Sequence, residues 1–331
     1  MSPLLRLDSM DEAILREAFS RCWPPDCTVA TTAQLSATGL GDKHITAALR
    51  LGILVRLRRG VYCPMHLWRG KPPWEQAKIT LAGHIAGTSG SLTYSHFSAA
   101  RLHGLAMWDC PSTIHVNTPY NSHPRQSMAG VVMHSAVLSS DAVVPLLLPG
   151  LGAVNVTSLE RTVLDCARVA PFDRAAIIGD SAFYKGLQLA KVAVMADTMA
   201  GLRGIQRARH VLTALNGLSE SAGETRTRLI IAELPIEQPE LQVKLYPDGN
   251  RHRVDFAWRG IKLILEFDGD TKYFDFGPMD EALIAERERE NTLIEDGWRI
   301  IRIKWKHLAQ PDVLKRRIMM AYQNAVLARA A

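Results

Sequence analysis

The stretch from Arg253 to Asp270 reads RVDFAWRGIKLILEFDGD. Val254, Phe256 and Trp258 alternate with Asp255 and Ala257, Arg259-Gly260 offers a turn, and Ile261 to Phe267 is almost wholly apolar. This pattern predicts two adjacent strands joined by a tight turn, the second of them a core strand. Glu266 and Asp268 stand two residues apart, hence on one face, and a hairpin brings Asp255 beside them. Three carboxylates gathered at the end of a buried strand repel one another and lose hydration, a cost that a bound divalent cation relieves. Asp268-Gly269-Asp270 is also good turn chemistry, and Asp270 reads better as a turn residue than as a ligand. Asp255 and Glu266, set among apolar residues, favour the cation.

Outward from these strands, a helix from Ala222 to about Leu234 carries Glu224, Arg226 and Arg228 and stops at Pro235. Gln242 to Tyr246 reads as a strand and Pro247 to Asn250 as a turn. Pro278 and Asp280 open a heavily charged helix closed by Gly297. Trp298 to Trp305 reads as a last inner strand, and Pro311 begins a terminal helix. The order is helix, three strands, helix, strand, helix.

This order, with R-V-D-F at Arg253–Phe256, E-F-D-G at Glu266–Gly269 and G-W-R-I-I-R at Gly297–Arg302, resembles the PD-(D/E)xK nuclease fold. It is most similar to domains related to very short patch repair endonucleases, over about residues 220 to 320. The resemblance implies one or two Mg²⁺ (or Mn²⁺) ions held by Asp255 and Glu266, with the carbonyl between Glu266 and Asp268 as a further ligand. Hydrolysis of a phosphodiester needs such hard-oxygen sites, because the metal neutralises developing charge and activates water. The departure is at Asp268, where the general pattern ends in lysine. Lys272 and Lys262 are the nearest substitutes, and Lys272 reads equally well as a surface lysine. Glu224 either reaches the metal from its helix or pairs with Arg228 one turn along. The candidate catalytic set is Asp255, Glu266, Asp268, Lys272 and Glu224, with Asp255, Glu266 and Asp268 as metal ligands. Since a fold does not fix a function, a catalytically silent relative that only binds DNA remains an alternative.

With 331 residues, 47% of them apolar and 22% charged, the chain has material for packed domains rather than disorder. No apolar run approaches the ~18 residues of a membrane span, and the N-terminus lacks the zones of a signal peptide, so a cytoplasmic protein is expected. Five cysteines at scattered spacings, with no C-x-x-C pair, favour neither a disulfide framework nor a zinc knuckle. The net charge of +6 is uneven: nine Lys/Arg face six Asp/Glu in residues 1–70, twelve face nine in 71–222, and the remainder is balanced. A basic front end suits nucleic acid without establishing it.

That front end has helix-turn-helix spacing. Met10 to Ser20 is an amphipathic helix, Thr31 or Thr32 caps a second through Leu35 and Ser36, and Asp42 caps a third from Lys43 to Leu51. Ile53 to Leu57 and Val61 to Cys63 then form two strands around the basic turn Arg58-Arg59-Gly60, a wing. Ile45, Ala48 and Leu49 are expected inward, leaving Lys43, His44, Thr46, Ala47 and Arg50 toward a major groove, with Arg56, Arg58 and Arg59 on phosphates or the minor groove. Helix-turn-helix units also dock proteins, but helix and wing carry positive charge together, which favours DNA.

The pattern I-x-x-A-L-R-x-G-I-L-V-R-L-R-R-G-V-Y at 45–62 resembles the winged helix of AbiEi-type antitoxins and related regulators. The likeness continues through Ser95–Leu105, Ile114–Val116, Gly130–His134 and the Ser158-x-x-Arg161-Thr162-x-x-Asp165 cluster, over roughly residues 1 to 215. It implies a promoter-binding or partner-binding scaffold and a place in toxin–antitoxin or phage-defence systems. Without the family, the middle segment is mixed α/β and chemically quiet. His96, His103, His115 and His134 sit on different expected elements without an acidic partner at ligand spacing, and are read as structural or surface residues. Arg161 and Asp165, four apart, form a local ion pair of a few tenths of a kcal/mol or so. Val192 onward reads as one long helix ending in a Gly/Ser-rich joint at Asn216–Ser221.

The expected α/β (α+β) organisation is therefore a winged helix-turn-helix at 1–70, an α/β domain at 71–215 and an endonuclease-like domain at 220–331. The expected partner is double-stranded DNA, with a cognate toxin protein and a second copy of the chain as further candidates and no membrane. The expected function is DNA targeting by the wing with metal-dependent cleavage. The alternative is an antitoxin or transcriptional regulator with a silent nuclease fold.

Overall fold

Thr31 starts the helix Thr32–Ala37 chemically: its hydroxyl accepts from Gln34 N while the Gln34 side chain caps Thr31 N, closing a capping box. The computed structural model describes residues 11–88, 92–118, 130–269 and 279–330, with the side chains of 279–285 outside the description. It is a mixed α/β chain, and within the described residues it contains three sheets. The described helices include none long and apolar enough to cross a membrane. The chain divides into two compact units, one formed by residues 1–104 and 109–165, the other by 105–108 and 166–331.

In the first unit, α1 (Glu12–Cys22), β1 (Ala30–Thr31), α2 (Thr32–Ala37) and α3 (Asp42–Arg50) lead into β2 (Leu54–Arg58) and β3 (Val61–Pro64). The strands form a small sheet in the order β1-β3-β2. Leu15, Phe19, Leu35, Ile45, Ala48 and Leu54 bury together beneath it. The helix-turn-helix and wing stand as expected. Gly41, not Asp42, is the N-cap of α3, and Asp42 sits in the first turn, where its charge favours the helix N-terminus. Next come α4 (Met65–Trp68) and α5 (Pro73–Ala86). A second sheet follows, with β4 (Thr93–Tyr94), α6 (His96–Leu102), β5 (Ile114–Thr118), β6 (Val131–Ser135), β7 (Val143–Leu148) and β8 (Gly152–Thr157). Its order is β6-β5-β4-β8-β7, with β5/β6 and β4/β8 parallel. Leu81, Tyr94, Ala99, Ile114, Val116, Val154 and Val156 fill its core.

Helix α7 (Leu159–Val169) carries Arg161 and Asp165, paired at 2.9 Å. The pair is nearly buried, with side chains 12% and 1% exposed, so the few tenths of a kcal/mol read from the i, i+4 spacing understates what depends on it. Removing one partner strands a charge away from water.

The second unit begins with α8 (Phe172–Tyr184), α9 (Leu189–Thr198) and α10 (Ile205–Thr213). The long helix expected from Val192 is therefore two helices. Gly201 and Gly204 between them adopt φ of +82° and +84°, which a helix cannot continue through. A Cβ on Gly204 would stand 2.3 Å from the Arg168 carbonyl oxygen. The joint that follows is pinned: Asn216 N–H donates to Asp180 Oδ1 at 2.7 Å, and Ser219 is buried.

Then come α11 (Ala222–Ala232), β9 (Glu240–Leu245), β10 (His252–Trp258), β11 (Leu263–Phe267), α12 (Met279–Glu295), β12 (Arg299–Ile303), α13 (Trp305–Leu308) and α14 (Pro311–Ala330). The order is that read from the sequence, with α13 added. The sheet runs β12-β11-β10-β9, so β12 lies at an edge, parallel to β11, rather than inside. It reads as interior because Ile301 and Ile303 are buried all the same. Two apolar layers flank the sheet. Phe256, Trp258, Leu263, Leu265 and Phe267 pack with Ile230 and Ile231 of α11 and Leu314 and Ile318 of α14. Val243, Val254, Ala257 and Ile264 pack with Leu293 of α12 and Trp298. Burying each such side chain fully contributes about 1.5–3 kcal/mol.

Candidate functional site

On α3, Lys43, Thr46 and Arg50 are exposed and Ile45 and Ala48 buried. Ala47 and Leu49 are half-buried, as is His44, whose Nδ1 is enclosed without a hydrogen-bond partner. On the wing, Arg56 and Arg59 are exposed, but Arg58 turns inward. Its guanidinium donates to the His84 carbonyl and to Thr88 Oγ1, both at 3.1 Å, tying the wing to the end of α5. Beneath it, His84 Nδ1 lies 2.8 Å from the Tyr94 hydroxyl. Burial, with the Arg58 charge beside it, pushes the His84 ring down to about 4, so it is neutral at neutral pH. The outward cations are therefore Lys43, Arg50, Arg56 and Arg59, and Arg58 is part of the frame that holds two of them.

The carboxylates of the second unit meet at an irregular point in the sheet. Val254 pairs with Val243 and Phe256 with Leu241, two residues on, yet the first pair packs with Ile264 and the second with Leu265, on opposite faces. The switch falls at Asp255 opposite Gln242, which takes a left-handed φ of 51°. Gln242 Nε2 donates to Glu224 at 2.9 Å and to Asp255 Oδ1 at 3.3 Å, and Phe267 N–H donates to Asp255 Oδ2 at 2.8 Å. Glu224 is placed by its helix start: Ser221 Oγ accepts from Glu224 N, and the Glu224 carboxylate accepts from Glu220 N. Arg228 does not pair with Glu224 but with Asp180, at 2.7 Å.

Glu266 faces the other way, toward α12. It is ion-paired with Arg289, and Arg302, its register partner on β12, stands 3.8 Å off. Arg302 also meets Glu286 at 2.7 Å and Glu290 at 3.2 Å. Burial raises the Glu266 carboxyl above the usual range; Arg289 pulls against that, and the Asp255 charge adds to it. Asp268 donates its N–H to Ile303 O at 2.7 Å, and Lys304 Nζ lies 3.6 Å from its carboxylate. Lys262 is held by Asp296, away from the carboxylates. Lys272 and Asp270 lie outside the described residues.

Asp255 and Glu266 are thus neighbours, but their oxygens are already spoken for by an amide, a backbone N–H and a guanidinium. Among the described residues, the donor atoms of Asp255, Glu266 and Asp268 do not close within 4.8 Å as a group of three. As placed, Asp255 is held by Gln242 and the Phe267 N–H and Glu266 by Arg289, so a Mg²⁺ ion shared by the two carboxylates would have to displace Arg289. Sequence reading missed Gln242, Arg289, Arg302 and Lys304. The signal for Arg289 was present, since Glu286, Arg289 and Glu290 share a helical face by their i, i+3, i+4 spacing.

Residues 29–64, spanning β1 to β3, match the family described as "Transcriptional regulator, AbiEi antitoxin". The uncharacterized proteins MT2308 and Rv2248 of two Mycobacterium tuberculosis strains are each 35% identical over 104 residues, 31% of this chain and 37% of theirs. The chain thus spans little more than a third of the length of these curated relatives. Among solved structures, the RV2827C protein of Mycobacterium tuberculosis aligns with a TM-score of 0.38 at 15% identity, covering 71% of this chain and 87% of that one.

Proposed function

We propose that the chain is a DNA-binding transcriptional regulator of the antitoxin kind. The observation that carries this reading is the coincidence of the matched family segment with a winged helix whose outward residues are Lys43, Thr46 and Arg50 on α3 and Arg56 and Arg59 on the wing. Cations on both elements can neutralise phosphates on either side of a groove while Thr46 and Arg50 reach base edges. A cognate toxin protein and self-association as a homodimer belong to the same reading. The test is a mobility shift on the DNA upstream of the chain's own coding sequence, against a shuffled duplex. Retardation of the upstream fragment at concentrations where the shuffled one runs free is the expected result; equal retardation, or none, rejects it.

A second reading, cleavage of DNA by the second unit with Mg²⁺ or Mn²⁺, is favoured by the gathering of Glu224, Asp255 and Glu266 with Lys304 beside Asp268. It requires Arg289 to yield Glu266 to the metal. Wild type that cuts duplex or single-stranded DNA with Mg²⁺, and a Glu266→Gln variant that does not, would support it. Identical background cleavage by both would leave the regulator alone.

A further inference from the structure

His96, His115 and His134 come from three elements of the first unit and meet at one place. His96 opens α6, and His115 lies on β5. His134 lies on the adjacent parallel strand β6, opposite Asn117, hence two residues along from His115 and on the same face. The three rings are nearly parallel: His96 and His134 stack at 3.6 Å between centroids, His115 and His134 at 5.1 Å. His115 Nδ1 and His134 Nε2 are 2.9 Å apart. One donor nitrogen from each of the three lies within 4.8 Å of the other two. His96 and His115 are buried and His134 is half-buried, so the cluster opens on one side.

Two further features point to a ligand. His96 holds a φ of 50°, a left-handed conformation that a histidine adopts at a cost, and it does so at the residue that presents the ring. Hydroxyls also hold ring nitrogens of two of the three: Ser95 Oγ is 3.0 Å from His96 Nδ1, and Thr113 Oγ1 is 3.1 Å from His115 Nε2. Such partners fix which nitrogen of a ring is turned toward a metal.

We propose that His96, His115 and His134 form a binding site for a divalent transition metal of the zinc class, with a fourth position open on the His134 side. Three imidazoles suit Zn²⁺, Ni²⁺ or Cu²⁺ and do not suit Mg²⁺ or Ca²⁺, which prefer oxygen. The site is independent of the carboxylates of the second unit and of the DNA-binding reading. Two imidazole nitrogens on a tetrahedral Zn²⁺ lie about 3.3 Å apart, so ligation opens the His115–His134 pair by about half an ångström and turns the His96 ring out of its stack on His134 until a nitrogen lone pair points at the ion. The proton shared in that hydrogen bond moves to the other nitrogen of the donating ring, and the metal takes both lone pairs.

The experiment is calorimetric titration of the metal-stripped full chain with Zn²⁺, repeated with Co²⁺ while the visible absorption is recorded. Wild type is expected to bind one equivalent tightly, to raise its Tm with Zn²⁺, and to show the intense visible bands of four-coordinate Co²⁺. His134→Ala, at the open side of the cluster, and His96→Ala each remove one ligand. Each should weaken binding by more than the 10- to 100-fold typical of losing an outer hydrogen-bond partner. Thr113→Val, which keeps all three rings, should weaken it by about that lesser amount. Circular dichroism of each metal-free variant establishes that it is folded. Absence of binding by wild type, or binding that is unchanged in both histidine variants, overturns the site.

Discussion

Arg289 on α12 closes an ion pair with Glu266 on β11, and so occupies the carboxylate that the sequence offers to a metal. The pair is mostly shielded from water, with side chains 25% and 12% exposed. Glu266→Gln removes a charge that burial already disfavours and leaves Arg289 and Arg302 their contacts with Glu286, so it is expected to change the unfolding free energy by less than about 1 kcal/mol. Urea denaturation with and without 10-fold changes in Mg²⁺ reads this out. A midpoint lowered by more than that would mean that the two arginines depend on Glu266 alone.

The wing separates two kinds of arginine. Arg56→Ala and Arg59→Ala should each reduce the slope of log affinity against log salt by up to about 0.9, one phosphate's worth, and leave stability alone. Arg58→Ala should lower Tm instead, because the His84 carbonyl and Thr88 lose their donor. The reverse pattern would place Arg58 on DNA.

His84 makes stability depend on pH. Its folded-state value is about 4 against 6.5 when unfolded, so the unfolded chain takes up a proton first as pH falls. The contribution is fully present above 6.5 and is lost progressively down to about 4, by about 1–3 kcal/mol for a well-buried ring. Tyr94, Arg58 and Thr88 face the ring and its backbone, and Arg58 stays charged throughout this range. Unfolding curves for wild type and His84→Gln at several pH values between these limits should converge as the pH falls. Parallel curves would mean that the ring titrates normally.

Gly223 has no room for a side chain, since a Cβ there would lie 2.0 Å from the Phe267 ring. Gly223→Ala is expected to cost about 1–3 kcal/mol by overpacking, with part of the loss restored by the second change Phe267→Leu. Additive losses in the double variant would show that the two positions do not touch.

Much of this was legible in the sequence. The periodicity of Val254 to Trp258 and the apolar run to Phe267 gave the hairpin, and the spacing of Ile45, Ala48, Lys43 and Arg50 gave the outward face of α3. What escaped was set by partners far away in sequence. Arg58 reads as one more wing cation until α5 supplies a carbonyl for it, and Glu266 reads as a carboxylate without a cation until Arg289 arrives from α12. The break between α9 and α10 was visible as Gly201 and Gly204, but apolar residues on both sides mask it as one helix. The histidines lie on separate elements with no ligand spacing in the sequence, and it is the register of β5 against β6 that joins two of them.

Asp180 is wholly buried on α8, and it accepts from Asn216 N with one oxygen and from Thr225 Oγ1 and Arg228 with the other. One carboxylate therefore grips the chain on both sides of the Gly/Ser-rich stretch between residues 216 and 221. A stretch that looks like a swivel in composition is fastened like a seam. Were a protease to sever it at exposed Leu218, both fresh ends would stay clamped to the same aspartate. The two fragments would then travel as one particle through a sizing column, and part only in denaturant.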